Sequence, residues 1–266
     1  MSLPNSPLKL AEKVNLIPRI RDYWNEHIHD LEIATAPIGT GEFFDELDNY
    51  RFEKLSYLPA LVDFAAYDDK NLLEVGCGAG IDLVHFARGG ACVTGIDLAE
   101  VSIGLARQNF HNRQLKGTFQ IMNGEALAYA DNCFDVVYCH GVLGYTANPA
   151  RMARELHRVL RPGGQAILMV YNKYSWLNLL SKVMNVDLEH EDAPVLKKFS
   201  MAEFRKLLTP FAQTRIIPER FPVKTRLHHG LKGKLFNDLF VGTFNALPHA
   251  VVRPTGWHLM AFATKV

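Results

Sequence analysis

The 266 residues are 48% hydrophobic and 21% charged, ordinary values for a globular chain that buries a sizeable core in one large domain or two small ones. A formal net charge of +1 gives no global attraction to nucleic acid or acidic membranes. No apolar run approaches the ~20 residues a membrane span requires, and the opening MSLPNSPLKL has no signal-peptide core. A cytoplasmic protein without a membrane span is expected.

The charge is uneven. From residue 197 onward there are twelve basic residues against three acidic ones, a surplus of nine, so the remainder carries a deficit of eight. Cys77, Cys92, Cys133 and Cys139 show no C-x-x-C spacing and no histidines at zinc intervals. Three of them fall in apolar, strand-like runs, where a free thiol behaves as a small buried hydrophobe. That usage fits a reducing compartment.

In chain order, residues 8–66 read as mainly helical, with a glycine-containing loop at 37–41. After Asp68-Asp69-Lys70 the texture changes. Residues 71–76 read as a buried strand, 81–88 as a helix, 91–97 as a strand, 99–112 as a helix, 118–122 as a strand and 134–139 as a strong strand. Residues 149–160 are amphipathic, with Met152, Leu156, Val159 and Leu160 on one face. Pro162-Gly163-Gly164 stops that helix, and 165–171 is the next strand. Such alternation argues for an α/β, doubly wound, parallel sheet covered on both faces. Further on, 201–208 reads as a helix, with strands at 213–217 and 257–264. The roughly forty residues between those strands are long for a plain connection. Leu235, Phe236, Leu239, Phe240, Phe244 and Leu247 there have helical apolar spacing, as a packing helix or a wall over an apolar substrate would.

The informative segment is Leu72-Leu73-Glu74-Val75-Gly76-Cys77-Gly78-Ala79-Gly80. A glycine turn after a buried strand lets backbone pass close to a ligand at the open edge of a sheet. Dinucleotide enzymes use nearly the same device. Glu74 favours a cationic ligand group, because a pyrophosphate wants the bare positive end of the next helix. Asp97 ends the next strand about twenty residues after the first glycine, the interval at which a carboxylate reaches ribose hydroxyls. A helix N-cap before Ala99 is the alternative role for it.

Taken with Asn123 to Leu127, Asp131 to Asp135 and Arg161 to Gly164, these motifs resemble class I S-adenosylmethionine (SAM)-dependent methyltransferases. More narrowly they resemble the small-molecule branch with a "methyltransferase type 11" domain. The resemblance covers residues 68–172 well, with Tyr23-Trp24 and Gly256-Trp257-His258 as familiar flanks. It implies a Rossmann-like, mostly parallel seven-stranded sheet. Residues 1–66 would form a helical cap segment and 67–175 the SAM-binding core. Residues 176–266 would complete the sheet, with a lid-like helical insertion at about 220–254. Gly76, Cys77, Gly78 and Gly80 would line the methionine part of SAM, and Glu74 would help hold its ammonium. Asp97 would bind the ribose diol and Leu98 would pack on the adenine. Asn123 stands where the family usually has Asp, and an amide still accepts from the adenine amino group. Gly124 and Glu125 would sit beside the base edge. Relatives often show Trp or Ser at position 140 and a His pair at 144 and 145, where this chain has His140, Gly144 and Tyr145.

Methyl transfer from a sulfonium needs alignment and exclusion of water, and a base only where the nucleophile is too weak while protonated. His140, at a strand end facing the cofactor, is the first candidate base, with a wall histidine as the plainer role. Tyr145 would orient the acceptor or pack. Tyr171 and Asn172 are candidates for the same pocket, and Tyr23, Trp24 and His27 for closing over the cofactor. His228 and His229 fall in the insertion. His190, among Asp187, Glu189, Glu191 and Asp192, lacks a recognisable ligand spacing, so no metal is expected.

The expected reaction is methylation of O or N of a small-molecule acceptor, anionic if the basic C-terminal part faces it, or apolar. A C-methyltransferase of the quinone-pathway kind, an NAD-dependent oxidoreductase and a non-catalytic SAM-binding regulatory subunit are the competing readings. Nucleic acid is not an expected substrate, because no Asp-Pro-Pro-Tyr-like signature follows residue 139. The acceptor and the oligomeric state are not written in the sequence.

Overall fold

The computed structural model describes residues 7–28, 31–184, 188, 190–222 and 241–266. An N-terminal helical stretch comprises α1 (Pro7–Glu26), α2 (Gly41–Lys54) and α3 (Leu58–Leu61). Strands and helices then alternate: β1 (Asn71–Val75), α4 (Ile81–Arg88), β2 (Cys92–Asp97), α5 (Glu100–Asn112), β3 (Thr118–Ile121), β4 (Phe134–His140), α6 (Pro149–Val159) and β5 (Leu160–Tyr171). The remainder holds α7 (Trp176–Met184), α8 (Met201–Leu207), β6 (Ala212–Glu219), α9 (Val241–Ala246), α10 (His249–Val252) and β7 (His258–Thr264).

All seven strands join one sheet in the order β3-β2-β1-β4-β5-β7-β6. β1 to β5 are parallel, and β7 runs antiparallel to both β5 and β6. The chain leaves β1 toward β2 on one side and returns through β4 on the other. This reversal opens a crevice beyond the carboxyl ends of β1 and β4, where open α/β sheets bind ligands.

Strand periodicity builds the two cores, since alternate residues face opposite sides of a sheet. Leu73, Val75, Val137, Cys139, Leu168 and Val170 face α6 and α8, meeting Met152, Leu156, Val159 and Phe204. Leu72, Val93, Val136, Tyr138, Ile167 and Met169 face the other way, onto Leu83, Val84 and Phe86 of α4 and Ile103, Ala106 and Phe110 of α5. The same alternation puts Glu74 on the second face, in register with Gly95 of β2 and Tyr138 of β4. Helix α6 begins cleanly because the Asn148 side chain accepts from Arg151 N–H and Pro149 fills the first turn.

The structure departs from the sequence reading in three places. Arg161 to Gly164 ends α6 but lies within β5, whose pairing with β4 shifts from Phe134↔Leu160 to Val136↔Gln165 across this turn. Gly163 adopts φ +78°, and its N–H donates to Lys265 O at 2.7 Å. Helix α7 has no counterpart in the sequence reading. Cys92, at the first position of β2, is exposed, whereas Cys77 and Cys139 are buried. Of the expected 220–254 insertion, residues 223–240, including His228 and His229, lie outside the described residues. No described helix is long and apolar enough to cross a membrane.

Candidate functional site

A cavity lies at the carboxyl ends of β1, β2, β4 and β5, walled by the glycine turn, Asp97-Leu98, Asn123-Gly124 and His140 to Val142. Ile20 and Trp24 of α1 and Arg51 of α2 close it on the other side. The turn passes close to the cavity because of its backbone. Gly76 has φ +75° and Gly78 φ +51°, conformations an L side chain rarely adopts. A Cβ at Gly76 would also collide with the Val142 side chain.

Glu74 is 4% exposed, and its Oε2 is the one buried side-chain oxygen or nitrogen among the described residues without a hydrogen-bond partner. Burial, then the nearby Asp82 charge, pushes its carboxyl well above the usual range, against the opposing pull of Arg51. An orphaned carboxylate oxygen on a cavity wall is a place for a cationic ligand group. Asp97 sits across the turn. Its Oδ2 accepts from Gly78 N–H at 3.0 Å and its Oδ1 from Ala99 N–H at 2.9 Å. Asp97 does not cap α5, whose N-cap is Ala99 without a side-chain bond; its carboxylate holds the glycine turn and the Ala99 N–H and retains further lone pairs beside the cavity. Its burial raises its pKa despite those N–H bonds.

Leu98, Asn123 and Gly124 also line the wall. The Asn123 side-chain oxygen accepts from Glu125 N–H at 2.9 Å, which fixes the amide. Cys77 is buried in the wall, and burial, then Asp97 and Glu74, push its thiol well up, so it is an inert packing group.

Three expected cofactor residues are not brought to the cavity wall. Gly80 is the N-cap of α4, and a Cβ there would point at Ala106 and Phe110 of α5. Glu125 is 6% exposed, and its Oε1 accepts from Thr146 Oγ1 and from Asn148 N–H, tying two loops together. Tyr23 points its hydroxyl to Asp192 Oδ1 at 2.8 Å and His190 Nδ1 at 3.1 Å. Trp24 beside it does line the cavity, with its ring edge-on to Tyr145 at 5.0 Å. His27 stacks on Tyr23 at 4.2 Å instead of entering the cavity. His190 packs against Trp24 at 4.7 Å in an aromatic cluster, and its sequence neighbours Asp187 and Glu189 lie outside the described residues. Tyr171 lines the cavity, but Asn172 clamps Pro254 O and Gly256 O through Nδ2 at 2.9 and 2.8 Å.

His140 and Tyr145 both face the cavity. His140 Nδ1 lies 3.3 Å from Arg51 Nη2, and Nε2 lies 3.3 Å from Tyr57 Oη. Around it stands a polar array that sequence reading missed. Arg51 Nε donates to Asp82 Oδ1 at 2.9 Å, Nη2 binds Oδ2, and Tyr138 Oη donates to the same Oδ2 at 2.8 Å. Asp82 is buried; burial raises its pKa, but Arg51 and Tyr138 outweigh this and hold it below the usual value. Tyr57 Oη lies 2.6 Å from His258 Nδ1, and Arg220 Nη1 lies 3.2 Å from His258 Nε2. Of these, the sequence marks His258 only as part of the Gly256-Trp257-His258 flank, without a role, and Asp82 only as an acid in the first turn of a helix whose neighbours are apolar. Arg51, Tyr57, Arg220 and His258 come from three distant segments.

Residues 73–168 match the methyltransferase domain family. Ubiquinone biosynthesis O-methyltransferases are similar to this chain: that of Coxiella burnetii is 32% identical over 104 residues, covering 39% of this chain and 44% of the relative. That of Pseudomonas paraeruginosa is 36% identical over 105 residues, covering 39% and 45%. The match thus spans less than half of either relative. Among solved structures, a possible histamine N-methyltransferase from Thermotoga maritima superposes with TM-score 0.60 at 16% identity, covering 93% of this chain and 100% of that one. Magnesium protoporphyrin IX methyltransferase from Synechocystis, solved with bound S-adenosylhomocysteine (SAH), gives 0.60 at 18% identity, covering 93% and 98%. Residues 73–168 are therefore a methyltransferase domain, carried in a chain with the class I SAM-dependent methyltransferase fold.

Proposed function

We propose that this protein transfers a methyl group from SAM to an oxygen or nitrogen of a small-molecule acceptor in the cytoplasm. The observation that carries the reading is the Glu74 Oε2 atom, buried and unpartnered on the wall beside the glycine turn and Asp97. That donor set suits a ligand with an ammonium at one end and a ribose diol at the other, and it is ill suited to a pyrophosphate. SAM supplies a methyl group on a positively charged sulfur. Glu74 holds the ammonium, Asp97 accepts from the diol, and Asn123 faces the base. Trp24, Tyr145 and Tyr171 exclude water and orient the acceptor. His140 faces the cavity and takes the proton of a hydroxyl acceptor once Nδ1 exchanges its 3.3 Å contact with Arg51 Nη2 for that hydroxyl. Residues 1–66 act as a cap on the core at 67–175, and 176–266 complete the sheet.

Calorimetric titration with SAM and SAH tests the assignment. Wild-type protein is expected to bind both in the micromolar range, and Asp97→Ala to lose that binding while remaining folded. Binding of NAD and not SAM would replace this reading with the oxidoreductase. SAM binding without turnover across acceptors, using labelled methyl groups, would leave a regulatory subunit. Where turnover is found, His140→Gln is expected to lower kcat on hydroxyl acceptors by about 100-fold or more with SAM affinity unchanged. An unchanged kcat would make His140 a wall residue.

A further inference from the structure

Arg220 follows β6 directly and has φ +59°, in the left-handed region that side-chain-bearing residues rarely occupy. Its carbonyl is held by two donors, Trp257 N–H at 3.3 Å and Trp176 Nε1 at 2.9 Å. The backbone is thus pinned in an unfavourable conformation that brings the side chain to the cavity wall. The guanidinium has five N–H donors, yet its partner among the described residues is a single nitrogen of His258. His258 is 2% exposed, and burial, then the Arg220 charge, hold it neutral. Arg51 and Arg161 differ, with Asp82 and Asp135 as their carboxylate partners. Arg220 faces the cavity with no carboxylate at salt-bridge distance among the described residues.

The cavity wall thus carries the acids Glu74 and Asp97, the Arg51–Asp82 pair and, just after β6, the guanidinium of Arg220. Flat rings line the same wall, with Tyr171 and Trp257 at 5.0 Å and an interplanar angle of 38°, and Tyr171 and Tyr145 at 5.9 Å. An aromatic wall ending in a guanidinium fits a planar apolar body that carries a carboxylate, which an arginine fork grips with two parallel bonds.

We infer that Arg220 is the anion-binding residue of the acceptor pocket, and that the methyl acceptor is a flat small molecule bearing a carboxylate. The word acceptor rests on the methyltransferase reading; the anion site does not. The test uses SAH-saturated protein, titrated by calorimetry with benzoate, 4-hydroxybenzoate and cinnamate and with the neutral amide of each. At least one acid is expected to bind about tenfold or more tighter than its amide, the worth of a charge-assisted bond. Arg220→Asn, a residue that tolerates positive φ, is expected to erase that preference, and Arg220→Lys to retain part of it. SAH affinity is expected to be the same in all three proteins. Acids binding no tighter than amides in wild type, or a preference surviving in Arg220→Asn, would overturn the assignment. If wild type fails to bind SAH, the same titrations without it decide the anion site alone. If Arg220→Asn does not fold, the wild-type acid-to-amide ratio and Arg220→Lys decide it.

Discussion

The neighbours of His258 fix where its ring carries the proton. Arginine can only donate, so His258 Nε2, 3.2 Å from Arg220 Nη1, must accept. The single proton of the neutral ring then sits on Nδ1 and is donated to Tyr57 Oη at 2.6 Å. Burial, then Arg220, His140, Arg51 and Lys54, depress the His258 pKa well below its ordinary value. In the unfolded chain the same ring takes a proton near pH ~6.5. Between the depressed folded value and ~6.5 the unfolded state therefore binds the extra proton, so stability falls as pH drops through that window and is flat above it. The maximal slope for one such group is about 1.4 kcal/mol per pH unit. Urea unfolding at pH 7 and pH 5.5 checks this: His258→Gln should show a shallower loss than wild type. An equal loss in both would mean that another group carries the linkage.

At the scale of elements, the Arg51–Asp82 pair joins the N-terminal helices to the sheet domain, with side-chain exposures of 17% and 1%. Removing one charge of a buried pair typically destabilises by about 3–5 kcal/mol, because the other charge stays buried alone. Asp82→Asn should therefore lower the unfolding free energy by about that amount. Arg51→Met with Asp82→Leu should lose much less, a comparison that urea titration settles; equal losses would show that packing, not charge, holds α2. The pair also marks where sequence reading ran out. Strands β1 to β4 and helices α4 to α6 were legible because local period and the glycine turn agree, and Glu74 and Asp97 sit at fixed intervals from that turn. Arg51, Tyr57, Arg220 and His258 carry no such interval, since only the closed sheet brings them together. Helix α7 was illegible for another reason. Asn178 and Ser181 are buried while Leu179 and Val183 are exposed, 66% and 75%. Its anchors are polar: Asn178 Nδ2 donates to Lys173 O and its Oδ1 accepts from Lys198 Nζ. The exposed Leu179 and Val183 blur the apolar face that Trp176, Leu177 and Leu180 mark at helical spacing. Likewise Pro162-Gly163-Gly164 carries turn chemistry, yet Gly163 N–H and Gly164 O both bond to Lys265, so the turn is absorbed into β5.

For the whole molecule, the walls of the cavity come from opposite ends of the chain. The crevice itself belongs to the sheet, but Trp24 of α1 packs on Tyr145 and His190, and Tyr23 reaches His190 and Asp192 across 167 and 169 residues of sequence. Ile20 from the same helix is buried in the wall. Among the described residues, α1 is otherwise joined to the core through few contacts, including Val101 N–H donating to Asn25 Oδ1 at 3.2 Å. A ligand the size of SAM must pass this cover to enter and leave, and closing it makes the electrostatics of Glu74 and Asp97 effective by excluding water. A covering element joined this lightly is expected to open, since local opening draws on the least stable parts of a fold. Amide hydrogen exchange tests this directly. Residues 16–26 and 190–192 should exchange quickly in the free protein and slow on SAH binding, while β1, β4 and β5 stay protected in both states. Tyr23→Phe, which removes the bonds to His190 and Asp192, should speed exchange in α1 and SAH release together, leaving β-strand protection unchanged. Slow exchange in α1 without ligand, unaltered by SAH, would mean that α1 is a fixed wall and that entry lies elsewhere on the cavity rim.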